Sequence, residues 1–286
     1  MPDFALRPVG PGVYVHEGAV EEPTTGNRGD IANLGVVIGS KAIAVIDAGG
    51  SRSVGEALLR AIRRVSDLPI THVILTHMHP DHILGASVFA DTGAQVVGHA
   101  SLRQAILDRK DSYLAGYGGL IGASEFLGTS VVVPDPGVAP TAIDLGARVL
   151  QLQAWPTAHS PSDLTVFDEV SGTFFAGDLV FDRHIPVIDG SLKGWLASLE
   201  VLLEMNISQL IPGHGGPVVT DLAQGLSPVR TYLEAVRDET RSALNQGQRL
   251  GDAAASVGRS QAGNWELFEA FNSRNATAAY TELEWE

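Results

Sequence analysis

Four potential metal-binding side chains follow directly on a short apolar strand, and this arrangement constrains the fold more than any other feature of the chain. The strand is predicted over His72–Leu75, and the segment after it reads Thr76-His77-Met78-His79-Pro80-Asp81-His82. Side chains two residues apart in an extended chain point to the same side, so His77 and His79 can reach one metal ion. Asp81 and His82 follow the bend and can reach a second ion nearby. The segment therefore predicts a metal site at the carboxyl end of a strand.

Further ligands must come from elsewhere, because four side chains in one loop cannot enclose two ions. Three candidates each stand at the end of a predicted strand, and they are His159, Asp178 and His214. The glycines beside Asp178 and His214 let the backbone come close to an ion. Ligand sites in α/β folds gather where strands end, so these three residues are predicted to join the first four.

The composition excludes several kinds of site and partner. The 286 residues contain no cysteine, so disulfides and thiolate metal sites are excluded and a metal must be bound by histidine and carboxylate. The formal net charge of −14 opposes binding to a nucleic-acid backbone. No apolar run approaches the roughly 20 residues needed to span a membrane. The expected partner is a small-molecule substrate, and the oligomeric state is left open.

The N-terminal sequence MPDFALRPVGPGVYV lacks the basic patch and apolar stretch of a signal peptide. We expect a cytoplasmic protein if the sequence is complete, and a periplasmic one if it is a mature form whose signal peptide has been removed. The absence of cysteine is compatible with either location.

Alternating strand and helix patterns predict an α/β fold. The 286 residues, 44% of them apolar, are ample for one domain. Ser51 is predicted to cap a helix that ends at Val65, and an amphipathic helix is predicted over Lys193–Met205. Strands are predicted over Gly12–His16, Asn33–Gly39, Ala42–Asp47, Gln95–Gly98, Ala147–Trp155, Leu164–Phe167, Thr173–Ala176 and Gln209–Ile211. Both halves of the chain run from strands into a helix, which suggests two similar units packed face to face.

Two regions depart from this alternation. The glycine-rich stretch Asp111–Thr129 is predicted to be a loop, either a plain surface excursion or a lid over the substrate. From Pro228 onward the pattern is helical, with helices predicted over Val229–Asn245, Asp252–Val257 and Trp265–Ala279. We therefore expect a single domain over residues 1–286 with a helical C-terminal extension that begins at about residue 228.

The ordered set of seven candidate ligands resembles that of the metallo-β-lactamase superfamily. The set reads His77-x-His79-x-Asp81-His82, followed by His159, Asp178 and His214. The resemblance implies a four-layered αβ/βα sandwich with the metals at one edge between two sheets. It also implies two ions, zinc first, with iron or manganese as alternatives. In the implied division His77, His79 and His159 hold one ion, Asp81, His82 and His214 hold the other, and Asp178 bridges them.

The same resemblance implies a hydrolase. Zinc lowers the pKa of bound water to about 7, so a metal-bound hydroxide is available as a nucleophile at neutral pH. Asp81 is expected to act in catalysis as well, by orienting that hydroxide and relaying its proton. The metals would also stabilise the oxyanion that forms on the substrate.

The ligand set narrows the choice of substrate without fixing it. Glyoxalase II thioesterases share all seven ligands, whereas two classes of β-lactamase in the family use a cysteine in place of Asp178 and the third lacks the bridging aspartate. We therefore expect an acyl substrate, which is a thioester, a lactone or an ester. A β-lactam hydrolase of the class B type and a non-catalytic metal-binding or redox accessory protein are the alternatives.

The segment Gly177–Trp195 concentrates charged side chains next to the bridging ligand. We expect Arg183, His184 and Lys193 in this segment to contact the substrate. The segment looks similar to a branch of zinc metallohydrolases of quinoprotein relay systems, which would favour an exported location. The remaining histidines are expected to be structural or surface residues, namely His16, His72 and His99.

Overall fold

Two β-sheets lie face to face in the computed structural model, which describes residues 4–135, 141–216 and 218–286. Six strands form the first sheet in chain order: β1 (Arg7–Gly10), β2 (Val13–His16), β3 (Leu34–Ile38), β4 (Ile43–Ile46), β5 (Ile70–Leu75) and β6 (Gln95–Gly98). Five strands form the second: β7 (Ala142–Asp144), β8 (Val149–Ala154), β9 (Leu164–Asp168), β10 (Thr173–Phe181) and β11 (Gln209–His214). In the second sheet β11 lies at one edge beside β10, and β9, β8 and β7 follow.

Eight α-helices cover the outer faces of the two sheets in the described part of the chain. They are α1 (Arg52–Val65), α2 (Pro80–Ile83), α3 (Ser87–Ala90), α4 (Leu102–Ile121), α5 (Leu192–Leu203), α6 (Leu222–Asn245), α7 (Leu250–Ser256) and α8 (Phe268–Leu283). A 3-10 turn at Arg259–Asn264 separates the last two. Among the described residues, the helices lack the combination of length and apolar character that crossing a membrane requires.

Three apolar cores hold these layers together. Between the sheets, Val37 and Ile74 of the first sheet pack in one cluster with Phe175 of the second. Outside the first sheet, α1, α3 and α4 contribute to a second cluster, and outside the second sheet α5, α6 and α8 contribute to a third, which centres on the buried Trp195 and Tyr232. Helix, sheet, sheet and helix thus form four layers, and the predicted αβ/βα sandwich is confirmed.

One edge of the sandwich joins the two sheets through the backbone. The parallel pairs β4–β5 and β10–β11 bring several strand ends to this edge. Leu164 N donates to Thr76 O at 2.7 Å, and Asn33 N donates to Gly213 O at 2.8 Å, so a hydrogen bond crosses between the sheets on each side. The side chains that follow β5 and those at the ends of β10 and β11 therefore meet.

Several predicted elements agree with the structure. Ser51 caps α1 by accepting a hydrogen bond from Val54 N at 3.3 Å, and the helix ends at Val65 as expected. Its apolar face is buried, and the residues are Ala57, Leu58, Ala61 and Ile62. Strand β1 was not predicted, because its four residues carry little apolar pattern.

The prediction of a loop over Asp111–Thr129 is wrong for most of that stretch. Residues up to Ile121 belong to α4, and only Gly122, with a φ of +90°, ends the helix. Three glycines lower the helix propensity of this segment, but Leu102 and Ile106 anchor the helix in the core of the first sheet, and Ile121 is buried at its end. Tertiary packing therefore overrides the local preference.

Other differences concern where elements begin and end. Strands β10 and β11 run on to Phe181 and His214, because a register shift at Gly177 lets β10 continue past the apolar run. Helix α6 begins at Leu222 rather than near Pro228, because Asp221 caps it by accepting from Gln224 N at 3.1 Å and the helix accommodates the proline. The predicted strand over Ala147–Trp155 corresponds to β8, which forms a hairpin with the short preceding strand β7.

Close backbone contact at Gly55 of α1 generates a prediction about stability. A Cβ atom there would lie 2.5 Å from Gly85 O, so we expect Gly55→Ala to lower the free energy of unfolding by about 1–3 kcal/mol. Gly119 of α4 is the matched control, since a Cβ meets nothing within 4 Å and Gly119→Ala should stabilise by about 0.5–1 kcal/mol. Urea unfolding measures both values, and a loss of equal size in the two variants would contradict this packing.

Candidate metal centre

The histidine-rich segment leaves β5 as an extended turn and enters a short helix. His77 and His79 lie on the extended part, and Pro80 starts α2, where its fixed φ suits the first helical position. This helix carries Asp81 and His82 inward, and both side chains are buried. The predicted change from extended to helical backbone therefore places two ligands on each side of the bend.

The second sheet supplies the other three candidates. His159 lies in the turn after β8, which Asp163 closes by accepting hydrogen bonds from Ser160 N at 2.9 Å and Ser160 Oγ at 2.6 Å. Asp178 follows Gly177 in β10, and His214 ends β11. A side chain at Gly213 would overlap Asp178 Oδ1, so glycine is required next to His214 for the close approach of the two strands.

The structure brings all seven candidates together as two groups of donor atoms. The first group contains His77, His79, His159 and Asp178, and the second contains Asp81, His82 and His214. Within each group the donor atoms lie within 4.8 Å of one another. This grouping corresponds to the division implied by the resemblance.

Asp178 stands between the two groups. Its Oδ2 is 3.4 Å from His159 Nε2 and 3.4 Å from His214 Nε2, while its Oδ1 is 3.2 Å from His82 Nε2. Oδ1 is buried and makes no hydrogen bond within the described residues. A buried carboxylate in this position, in reach of donors from both sides, has the geometry of a bridging ligand.

Each imidazole also forms a hydrogen bond through the ring nitrogen that points away from the other donors. His159 Nδ1 bonds Val187 O at 2.7 Å, and His214 Nδ1 bonds Ile31 O at 2.8 Å. These contacts fix the tautomer that leaves Nε2 facing inward. His79 is reversed, because its Nε2 bonds Asp189 Oδ2 at 2.9 Å and its Nδ1 faces the other donors.

Asp47 is an outer partner that the sequence analysis missed. It accepts hydrogen bonds from His82 Nδ1 at 2.8 Å and from Thr76 Oγ1 at 2.8 Å, and Thr76 Oγ1 lies 3.1 Å from His77 Nδ1. Asp47 has a φ of +59° and follows the buried strand β4. A carboxylate directly after an apolar strand was the available signal. One buried aspartate thereby orients a ligand of each group.

The first donor group fits a divalent cation better than it fits hydrogen bonds. His79 Nδ1 lies 3.0 Å from His77 Nε2 and 2.9 Å from His159 Nε2. With their other nitrogens already bonded outward, these three atoms face one another with lone pairs, which repel unless a cation lies between them. Donors on a tetrahedral zinc ion are about 3.4 Å apart at normal zinc–nitrogen distances, so a small rearrangement would complete the site.

The electrostatics differ between the two groups. Burial lowers the pKa of His159 to about 3 and lowers the pKa of His77 well below its usual value, so both rings are neutral, the form that binds metal. Burial also opposes a charge on His214, but Asp178 and Asp81 raise its pKa to about 9. A cation bound by the second group must therefore displace a proton from His214 at neutral pH.

Five of the seven donors line a pocket of ≈ 360 Å³, namely His79, Asp81, His159, Asp178 and His214. Helix α4 forms one wall, with Tyr113 and Tyr117 one turn apart, and Phe271 of α8 lies on another side. Burial raises the pKa of Tyr113 to about 12 and also raises the pKa of Tyr117, so both hydroxyl groups keep their protons at neutral pH. The region predicted as a possible lid thus covers the pocket as a helix.

Of the three predicted substrate contacts, only His184 lines the pocket. His184 lines the pocket, is 5% exposed and has its ring 5.0 Å from that of His214. Arg183 and Lys193 do not line it, since Arg183 pairs with Glu266 at 2.8 Å and Lys193 pairs with Glu286 at 3.2 Å. The arginines that line the pocket are Arg109 and Arg274, which the sequence did not single out because they come from distant helices.

Asn275 of α8 fixes the segment that carries the outer partners of two ligands. Its Oδ1 accepts from Ile188 N at 2.9 Å and its Nδ2 donates to Pro186 O at 2.6 Å. Val187, whose carbonyl oxygen bonds His159, lies between these two residues, and Asp189 follows. The C-terminal helix therefore positions the metal centre without contacting its donors.

Two facing sheets with histidine and aspartate donors at their common edge are typical of a class of metal-binding proteins. The family model of the metallo-beta-lactamase superfamily matches residues 27–214, a range that contains all seven candidate ligands. The chain belongs to the metallo-β-lactamase superfamily, a superfamily of hydrolytic enzymes.

Two curated relatives differ in what their names describe. A linear primary-alkylsulfatase of Pseudomonas sp. is 23% identical over 245 residues, which cover 71% of this chain and 45% of that protein. A type 2 metallo-beta-lactamase of Bacillus sp. is 24% identical over 184 residues, which cover 62% of this chain and 63% of that protein. The chain thus spans less than two thirds of the length of either relative.

Solved structures show the same fold. A stereoselective inverting sec-alkylsulfatase of Pseudomonas sp. has a TM-score of 0.70 at 18% identity and covers 98% of this chain and 50% of that one. A β-lactamase domain protein of Burkholderia ambifaria has a TM-score of 0.70 at 20% identity and covers 98% of this chain and 87% of that one. At these identities the likeness concerns the fold alone.

The position of Asp178 generates a prediction about metal binding. Asp178→Asn keeps the volume but removes the negative charge between the two groups, so affinity for the second zinc ion should fall at least about tenfold while the first ion is retained. Zinc titration of chelator-treated protein against a chromophoric chelator measures both affinities.

Asp189→Asn is the matched control, because Asp189 contacts His79 of the first group from outside. It should weaken the first site by about 10-fold or more and leave the second intact. Two zinc ions bound by Asp178→Asn as tightly as by the unmodified protein would show that Asp178 is not a bridging ligand.

Proposed function

We propose that the protein is a dinuclear metal-dependent hydrolase that acts on an acyl group of a small molecule, in an ester, lactone or thioester. The observation that carries this proposal is the convergence of seven donors in two groups, five of which line an open pocket. A purely structural metal site would be enclosed by protein ligands, with no access for substrate.

Two divalent ions bound there would supply a nucleophilic hydroxide at neutral pH and would stabilise the developing oxyanion. The chain's own residues then determine geometry and proton position. Asp81 is ionised, because His82 and His214 hold its pKa below its usual range although burial opposes this. The Asp81 carboxylate can therefore accept a hydrogen bond from the attacking water and take up its proton. It cannot serve as a proton donor in the resting state.

Tyr113 and Tyr117 are suited to the opposite role. Both line the pocket with protonated hydroxyl groups, so either can donate a hydrogen bond to a substrate oxygen. His184, whose pKa burial lowers to about 4, is neutral and packs against His214. It forms part of the pocket wall, with a role in shaping the space for the acyl group.

An acyl substrate is favoured over a polyanion by the charges around the pocket. Glu21 and Glu22 line its rim, and the whole chain carries a net charge of −14. The presence of Asp178 between the donor groups supports the likeness to glyoxalase II thioesterases rather than to cysteine-containing β-lactamases. We therefore place ester, lactone and thioester ahead of β-lactam.

Sulfate esters are the second candidate. The likeness to a primary-alkylsulfatase over 71% of this chain is the specific observation that favours them. An alkyl sulfate would present an apolar chain to residues such as Phe271 and Leu120, which line the pocket. It would require attack at carbon or sulfur rather than at a carbonyl group.

A panel on zinc-loaded protein tests this ranking. We expect a p-nitrophenyl ester, a thioester or a lactone to turn over at least about tenfold faster than an alkyl sulfate or a β-lactam, a difference of about 1.4 kcal/mol in activation free energy. His77→Ala is the background control, since it removes a donor of the first group.

The outcomes separate the candidates. Turnover of alkyl sulfate with inert acyl compounds would replace the acyl proposal with the second candidate. Rates that His77→Ala matches for every compound would contradict a hydrolytic function altogether.

A further inference from the structure

Two arginines from distant parts of the chain meet at one carboxylate in the pocket wall. Arg109 of α4 donates from Nη1 to Asp189 Oδ2 at 2.9 Å, and Arg274 of α8 donates from Nη2 to Asp189 Oδ1 at 3.3 Å. All three residues line the pocket above the metal centre. We call Arg109 and Arg274 the arginine pair.

The charges at this place do not cancel. The arginine pair carries two positive charges and Asp189 one negative charge, while His79, the third partner of Asp189, is neutral when it binds metal. A net positive charge therefore remains on this wall. The acidic residues on the rim, Glu21 and Glu22, line the same pocket without forming an ion pair with either arginine in the described part of the chain.

The pair also has hydrogen-bond donors to spare. Each guanidinium has five N–H groups, and within the described residues each uses one of them on Asp189. The two side chains are 41% and 53% exposed, so the other donors can reach a bound molecule. The buried hydroxyl of Tyr113 lies beside Arg109 and lines the same pocket.

We propose that the arginine pair, with the Tyr113 hydroxyl beside it, is a subsite for a carboxylate group of the substrate. The inference rests on the proposed acyl hydrolase function and narrows its substrate class. The substrate is an ester, lactone or thioester that carries one carboxylate at a distance from the reacting carbonyl. Planar guanidinium groups match the two oxygens of a carboxylate and form charge-assisted hydrogen bonds with it.

The location of the pair fits a role in substrate recognition. Arg109 Nη1 and His79 Nε2 bond the same oxygen of Asp189, so these two nitrogens lie within about 6 Å of each other. A carboxylate held by the pair would thus lie a few bonds from a carbonyl group at the metals. Phe271 and Leu120 provide apolar surface for the carbon chain.

A single carboxylate suits this subsite better than a phosphate monoester. One net positive charge is balanced by a monoanion, whereas a dianion would leave excess negative charge near Glu21, Glu22 and Asp189. The substrate should accordingly carry one negative charge at the end away from the reacting bond.

Only one residue of the arginine pair lies in the part of the chain that the family model matches. Arg274 lies in α8, beyond the region 27–214 that the family model matches, whereas Arg109 lies within it. A role limited to orienting Asp189 would affect all substrates alike, because Asp189 acts through His79. A carboxylate subsite would distinguish charged from neutral substrates, and this difference makes the two roles separable.

Paired substrates provide the first test. Mono-p-nitrophenyl adipate carries a free carboxylate, and its methyl ester has the same chain without the charge. On zinc-loaded protein we expect the acid to have at least about tenfold higher kcat/KM than the methyl ester, mainly through KM. Arg109→Met and Arg274→Met should each remove most of this preference by raising KM for the acid, with little change for the methyl ester.

Arg183→Met is the matched control, since Arg183 is paired with Glu266 in the same manner but lies outside the pocket lining. It should keep the preference of the unmodified protein. Equal losses for both substrates in Arg274→Met, or no preference for the acid in the unmodified protein, would overturn the subsite.

Direct binding keeps the subsite testable if no ester is hydrolysed. Calorimetry with phenylacetate and neutral phenylacetamide on zinc-loaded protein should show binding of phenylacetate that weakens at least about fivefold in Arg109→Met and Arg274→Met but not in Arg183→Met. The zinc content of each variant should stay unchanged. Phenylacetate affinity that is independent of both arginines would mean that the metals alone bind it, and the subsite would be rejected even with hydrolysis intact.

Discussion

The structure depends on the burial of seven polar donors at the seam between two sheets. Five imidazole rings and two carboxylates meet there with little exposure to solvent, and Asp178 Oδ1 makes no hydrogen bond within the described residues. Such a concentration of buried polar groups is costly unless each group has a partner. Divalent cations would provide partners for all of them at once, and the fold supplies the outer contacts that keep each donor aimed inward.

Neither sheet could build this centre alone. The first sheet contributes the segment after β5 together with Asp47, and the second contributes His159, Asp178 and His214. Asn33 connects them, because its backbone N–H bonds Gly213 O at 2.8 Å and its Nδ2 donates to Pro212 O at 2.9 Å. The relative position of the sheets and the geometry of the donors are thus fixed by the same contacts.

The sequence predicted those parts of the molecule that have local signals. Dense histidine spacing after β5 and single donors at later strand ends identified the seven candidate ligands, and apolar alternation identified most strands. Helix α4 was missed because its glycines outweigh its apolar residues until the core of the first sheet is considered. Arg109 and Arg274 could not be paired from sequence, because only the packing of α4 and α8 around one pocket brings them to Asp189. Arg183 and Lys193 were chosen for closeness in sequence, which does not ensure closeness in space.

We propose that each donor group holds one ion and that Asp178 bridges the two ions. Anomalous diffraction at the zinc absorption edge from crystals of zinc-loaded protein would locate them. We expect two peaks about 3.5–4 Å apart, one among His77, His79 and His159, the other among Asp81, His82 and His214. A single peak, or peaks away from these residues under zinc-replete conditions, would contradict it.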